Sequence, residues 1–254
     1  MQPSSSYNEF LKLVSILRKE CPWDKKQTHD SLKDNLIEEA YEVVEAIETK
    51  DFDELKKELG DLFLHIVFQA EMASEKNKFT IADVIESISE KLIRRHPHVF
   101  ENVNVSDDDE VAANWEAIKM QEGKKSVLDG IPKHLPALIK AQRMQEKAGN
   151  VGFDWAEWKL AWEKLDEEID EWKMAIEEQK KEEQEDEFGD LLFSLVNVGR
   201  LLELNAESSL RSSIRKFDTR FRYIEEKLNE KDKSITDSSL EEMDQLWNEA
   251  KKFV

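Results

Sequence analysis

Glu38-Glu39-Ala40-Tyr41-Glu42 and, further along, Glu167-Glu168-Ile169-Asp170-Glu171 spell the same Glu-Glu-x-x-Glu pattern. Each is followed by Glu-x-Gly-Asp, first at Glu58-Leu59-Gly60-Asp61 and again at Glu187-Phe188-Gly189-Asp190. All five acidic positions shift by the same 129 residues, as do Ala46/Ala175, Ile47/Ile176, Gly60/Gly189, Leu62/Leu191 and Val67/Val196. A repeat unit this long means two related domains, since solenoid units run about 20–50 residues. The expected domains are residues 1–125 and 126–254 of the 254-residue chain.

Around that repeat the chain reads as all-α. Apolar residues make up 39% and charged residues 37%, which suits helices with one buried stripe each. Seven Gly and five Pro are too few for an all-β protein with many tight turns. Helical spacing predicts helices over residues 7–21, 30–50, 51–75, 80–95 and 109–122. The second half repeats the scheme over 135–149, 155–179, 181–204, 206–230 and 239–252. In the second predicted helix, Leu32, Leu36, Ala40, Val43 and Ile47 form the expected apolar face. Residues 123–136 hold two Gly and two Pro and form the natural connector. Each half is expected to be a four-helix-bundle-type domain.

Charge and cysteine usage exclude several function classes. A net charge of −20 argues against nucleic-acid binding, which rests on phosphate neutralisation by Lys and Arg. A small anionic ligand stays possible, because a divalent cation reverses the local field. The single cysteine, Cys21, gives no intrachain disulfide. The most apolar stretch, residues 62–70, contains His65 and Gln69 and is far too short to span a bilayer. Residues 1–10 lack a basic segment before an apolar core. A cytoplasmic protein with no membrane partner is expected.

The acids themselves point to a metal. Glu39 and Glu42 are three apart and share a helix face, as do Glu58 and Asp61. On one straight helix Glu171 and Glu187 would lie ~24 Å apart, beyond the reach of one ion. A hairpin turning near residues 179–183 would bring their helices side by side at ~8–10 Å, although no Gly or Pro marks the bend. Four carboxylates facing one point repel unless a cation sits between them. Oxygen-only ligands suit Mg²⁺ or Mn²⁺. Any single carboxylate among 57 Asp and Glu reads first as a solvated helix face. The registered duplicate shifts the balance, because solvent-facing acids have no reason to hold five positions while their neighbours diverge. A di-iron bundle would need Glu-x-x-His, and none of the five histidines follows that spacing. Gly123-Lys124-Lys125-Ser126 ends like a P-loop, but Ile118 stands where its first Gly must be. His29, His96 and His98 read as structural or surface groups.

Further segments complete a family pattern: Cys21-Pro22-Trp23-Asp24 with Gln27-Thr28-His29, and Arg94-Arg95-His96-Pro97-His98-Val99-Phe100. Later come Ser126-Val127-Leu128-Asp129-Gly130-Ile131-Pro132 and Val151-Gly152-Phe153-Asp154-Trp155. Over nearly its whole length the sequence resembles the tandem-domain MazG family of nucleoside triphosphate pyrophosphohydrolases. The resemblance implies Mg²⁺-dependent cleavage between the α and β phosphates of a nucleoside triphosphate, giving the monophosphate and pyrophosphate, by a homodimer. It makes Glu168, Glu171, Glu187 and Asp190 the metal ligands of the second domain, with Glu39, Glu42, Glu58 and Asp61 as their first-domain counterparts. Glu167 points ~100° away from Glu168 and either orients a cation or water beside the site or is solvated.

Lys216 and Arg220 resemble the family's phosphate-binding positions. Trp247 and Lys251 form an i, i+4 pair suited to stacking on a base while donating to phosphate or sugar, against a reading of Trp247 as a core residue. Aligning Ile93-Arg94-Arg95 with Ile214-Arg215-Lys216 sets Arg95 opposite Lys216 and Val99 opposite Arg220. Trp115 and Lys119 repeat the Trp247/Lys251 spacing. The first domain thus lacks one phosphate-binding Arg, and the second is expected to be the main catalyst. The competing reading is a catalytically retired helical module used for dimerisation.

Overall fold

The computed structural model describes residues 6–101, 103–105, 107, 110–111, 114–115, 118, 122–123 and 125–253. Those residues form helices and turns, with no strand among them. The chain divides into two compact units, residues 1–104 and 105–254. The expected helix at 109–122 falls largely outside the described residues.

The first unit contains α1 (Tyr7–Glu20), α2 (Lys33–Thr49), α3 (Phe52–Glu75), α4 (Ile81–Arg95) and the single turn α5 (Pro97–Phe100). Local chemistry fixes the ends. The Asp51 carboxylate accepts from the Asp53 and Glu54 amides and starts α3. Thr80 and Asp83 form a capping box that starts α4. The start of α2 slips from residue 30 to Lys33 because Thr28 and Ser31 exchange side-chain hydrogen bonds with each other's amides in a turn. α3 is the central element, contacted by α1, α2 and α4. Val14, Leu32, Val67, Phe68 and Met72 form the core.

The second unit contains α6 (Ala137–Gly149), α7 (Trp158–Glu177), α8 (Lys181–Leu201), α9 (Ala206–Asn229) and α10 (Leu240–Ala250). α8 takes the place of α3, packing against α6, α7 and α9, while α10 folds back on α9. Ala161, Leu165 and Val198 make one core cluster, and Ile224, Leu228 and Leu246 another. α7 begins at Trp158 rather than 155, because Asp154 is tied to Arg200 on α8 and holds the preceding segment in a turn.

The bend that the sequence did not mark is present in both units. Lys50 and Gln179 occupy the same repeat position and both adopt a left-handed backbone, with φ of 58° and 55°. The amides after them return to the preceding helix, Asp51 N to Ala46 O and Lys180 N to Ala175 O, at 3.0 and 3.2 Å. This is the helix-ending geometry usually given to Gly. Here a non-Gly residue bears the left-handed strain, so no glycine advertises the turn.

The buried stripe of α2 also corrects the sequence reading. Val43 and Ala46 are buried with Leu32, whereas Ala40 is exposed and Ile47 is 56% exposed. The inward stripe runs Leu32, Leu36, Glu39, Val43, Ala46. Its repeat partners in α7 are Ala161, Leu165, Glu168, Trp172 and Ala175, none of them exposed. A stripe drawn through apolar residues alone drifts off this face, because its middle member is a carboxylate.

Candidate metal centre

Placing Glu39 and Glu168 inside apolar stripes has an electrostatic consequence. Glu168 is only 5% exposed, and a buried carboxylate costs several kcal/mol unless it is paired. The hairpins supply the company. One oxygen from each of Glu168, Glu171 and Glu187 lies within 4.8 Å of the others, and Glu39, Glu58 and Asp61 do the same in the first unit. The fourth member stands beside each trio. Asp190 raises the proton affinity of Glu187 through its charge, and Glu42 shares hydrogen bonds with both Glu39 and Glu58. The eight acids expected as metal ligands are therefore drawn together, four in each unit.

Crowding shows in their proton affinities. Partial burial, then the charges of Glu171, Glu168 and Asp190, push the Glu187 carboxyl above its ordinary range. Burial and the charges of Asp61 and Glu42 do the same for Glu39. Glu58 is pushed up to about 7 by desolvation, by sharing a proton with Glu54, and by Glu42. Carboxylates that resist ionising together are the donor set a hard divalent cation relieves. The residues fit such an ion.

Each unit adds a different neighbour. Lys164, one turn before Glu168, places its ammonium 2.9 Å from both Glu167 and Glu168. Those two acids raise the lysine's proton affinity. Its repeat counterpart is Asn35. Sequence reading missed Lys164, although its i, i+3 and i, i+4 spacing to Glu167 and Glu168 was the available signal. It also settles Glu167 as a partner of that lysine. In the first unit His65 stands 3.9 Å from Glu39, too far for a hydrogen bond, and burial lowers its proton affinity.

Beside Glu168 and Asp190 a cavity of about 590 Å³ opens between α6, α7, α8 and the segment before α7. Its walls include Met144, Phe153, Trp155 and Phe193. The Arg200 guanidinium grips Asp154 with both Nη atoms, at 2.9 and 2.5 Å, and fixes the segment that carries Phe153 and Trp155. A Cβ on Gly149 would come within 2.6 Å of Asp154 Oδ2, so only glycine leaves that carboxylate room.

The expected substrate cations and aromatics lie on other elements. Lys216 is exposed on α9. Arg220 sits over the Trp247 ring at 5.5 Å, and Trp247 also packs against Phe217 and the cluster of Ile224, Leu228 and Leu246. Lys251 donates to Asn248. Arg95 ends α4 half-buried and Trp115 is half-buried, while Lys119 lies outside the described residues. Within the chain, Trp247 serves the α9–α10 core. His29 bonds Gln69 and His96 bonds the Leu92 carbonyl, consistent with structural roles.

Comparison with known proteins agrees with this geometry. The MazG nucleotide pyrophosphohydrolase domain matches residues 27–100 and 159–224, once in each unit. The chain is 47% identical to the nucleoside triphosphate pyrophosphohydrolase/pyrophosphatase MazG of Thermotoga maritima, covering 95% of both proteins. It is 41% identical to the nucleoside triphosphate pyrophosphohydrolase of Escherichia coli strain K12, over 96% of this chain and 98% of that one. It is also 48% identical to the uncharacterized protein YabN of Bacillus subtilis, of whose length it spans about half. With two acid-lined helical hairpins in register and a domain match on each, the chain belongs to the MazG nucleotide pyrophosphohydrolase family.

Proposed function

We propose that this protein hydrolyses nucleoside triphosphates, ribo- and deoxyribo-, at the α–β anhydride, using Mg²⁺ (or Mn²⁺) and working chiefly through its second unit. Water adds at phosphorus, the bridging bond breaks, and nucleoside monophosphate and pyrophosphate leave. The observation that carries this reading is the convergence of Glu168, Glu171 and Glu187 at the edge of a cavity roomy enough for a small molecule. A divalent cation held there supplies neutralisation of the charge spread over the phosphate oxygens. Glu168, Glu171, Glu187 and Asp190 hold and orient it. Lys164, lining the same cavity, offsets part of the acidic charge that would repel a triphosphate. Lys216 and Arg220 are proposed to meet the phosphates, Trp247 to stack on the base, and Lys251 to donate to phosphate or sugar.

A homodimer fits the surface. Leu59, Phe63 and Ile66 on α3 are exposed, and so are their repeat partners Phe188, Leu192 and Leu195 on α8. Apolar ridges at matched positions of both central helices are the kind of surface a second copy covers. No helix among the described residues is long and apolar enough to cross a membrane, in keeping with work in the cytoplasm, where the substrates are. Nucleic acid is not a proposed partner, given the net charge of −20.

The test is a product assay. Incubated with Mg²⁺ and ATP, GTP, CTP, UTP or dNTPs, the protein should release pyrophosphate, and a chelator should stop it. Orthophosphate as the first product would mean γ-cleavage and refute the assignment. No release from any triphosphate would favour the retired-module alternative.

A further inference from the structure

The two acidic clusters match in their carboxylates but not in the nitrogen that each one faces. Beside Glu168 stands the Lys164 ammonium, a positive charge with no lone pair to give. The first unit has Asn35 in place of that lysine, and His65 in place of Ser194. The nitrogen that Glu39 faces is therefore an imidazole, which can donate a lone pair. An ammonium competes with a metal ion for the acids, whereas a neutral imidazole joins them as a ligand.

Two helices bring His65 to the cluster. It follows Asp61 by four residues on α3, so the two side chains share one helix face. Its Nε2 lies 3.9 Å from Glu39 Oε1 on α2. That separation is too long for a hydrogen bond. It is just under twice the ~2.0–2.2 Å bond that either atom makes to an ion such as Zn²⁺, so one ion can touch both. Nδ1 is buried with no hydrogen-bond partner, which leaves both ring nitrogens unanswered within the chain. Enclosing a polar ring in that state is costly, and an ion on Nε2 gives one of the two nitrogens its partner.

Donor type sets the preference among ions. Carboxylates alone suit Mg²⁺, while an added imidazole shifts the balance toward Co²⁺ or Zn²⁺. We propose that the first unit holds a transition-metal ion through Glu39, Glu58, Asp61 and His65. The chain then carries two kinds of divalent site, oxygen-only in the second unit and oxygen with nitrogen in the first. This stands apart from the triphosphate reading, since it concerns which metal the first unit takes and not what the second unit cleaves.

Co²⁺ serves as the probe. Metal-free full-length protein, titrated with Co²⁺ in a large excess of Mg²⁺, should bind one Co²⁺ per chain. His65→Gln keeps much of the bulk and polarity but removes the imidazole, and should weaken that site about tenfold or more. Glu39→Gln should weaken it too, whereas Glu168→Gln, in the other unit, should leave it unchanged. Pulsed electron paramagnetic resonance supplies a readout that does not need His65→Gln to fold. Mn²⁺ bound to the Glu168→Gln chain should show coupling to an imidazole nitrogen, and adding His65→Gln should remove it. Unchanged Co²⁺ affinity in folded His65→Gln, absence of nitrogen coupling, or coupling that persists without His65 overturns the proposal.

Discussion

Glu168 shows how much one residue can carry. It stands at an apolar position of the α7 stripe, so burial makes its charge costly. That same cost makes it a strong partner for a cation, whether Lys164 or a metal. Glu171→Gln exchanges a charged carboxylate for a neutral amide in the second unit's trio. It should lower pyrophosphate release by more than the ~10–100-fold typical of groups that only orient ligands. Glu42→Gln, in the unit that has Val99 where the second has Arg220, should leave most turnover intact. Equal losses in steady-state assays would move catalysis into both units.

Glu58 makes a second residue-scale prediction, with a sign that can be worked out. Its folded proton affinity is raised from the ordinary 4.5 to about 7. Between those values the native state holds a proton that the unfolded chain has lost, so this group's stabilisation fades as pH rises across that window. Other carboxylates, such as Glu75 beside Arg18, run the opposite way, so the comparison must be made against a variant. Thermal melts of metal-free protein should show Glu58→Gln gaining on wild type as pH climbs from about 4.5 to about 7. Saturating Mg²⁺ should erase that gain by favouring the ionised cluster. A constant offset at every pH would contradict the shift.

At the scale of elements the hairpin decides everything, since α7 and α8 must fold back for their acids to meet. Gln179, with φ at 55°, is the hinge, and proline cannot take that angle. Gln179→Pro should therefore abolish Mn²⁺ binding in the second unit. Lys181→Pro, at the first position of α8 where proline is tolerated, should retain it. Loss in both variants, read by metal titration with circular dichroism as a check on helicity, would put the effect elsewhere. The hairpins also show what was legible and what was not. Helices, their approximate lengths and the need for a bend all follow from spacing and the repeat. The bend falls where the repeat placed it, near residues 179–183, although Lys50 and Gln179 rather than Gly take its left-handed conformation.

Across the whole molecule, duplication has kept the carboxylates and let their surroundings diverge. Asn35 answers Lys164, and Leu32, His65 and Phe68 answer Ala161, Ser194 and Asn197. Matched acids beside unequal neighbours fit the proposal that catalysis lies chiefly in the second unit. If the exposed ridges on α3 and α8 are covered by a second copy, charges placed there should part the copies. Leu192→Glu with Leu195→Glu should shift sedimentation from dimer to monomer without changing helix content. Unchanged sedimentation would assign those ridges to something other than self-association.

Periodicity and the 129-residue repeat, read alone, were enough to settle an all-α class, the duplication, and which acids belong together. Those features are written in local order along the chain, where hydrophobic spacing and repetition can be counted. The inward turn of Glu39 and Glu168, the Lys164 bridge, the Asp154–Arg200 clasp and the cavity each depend on residues far apart in sequence or on the exact rotation of a helix. A stripe that includes a carboxylate is invisible to a rule that counts only apolar residues. A void exists only where several helices fail to fill the space between them, and no single stretch of sequence records that.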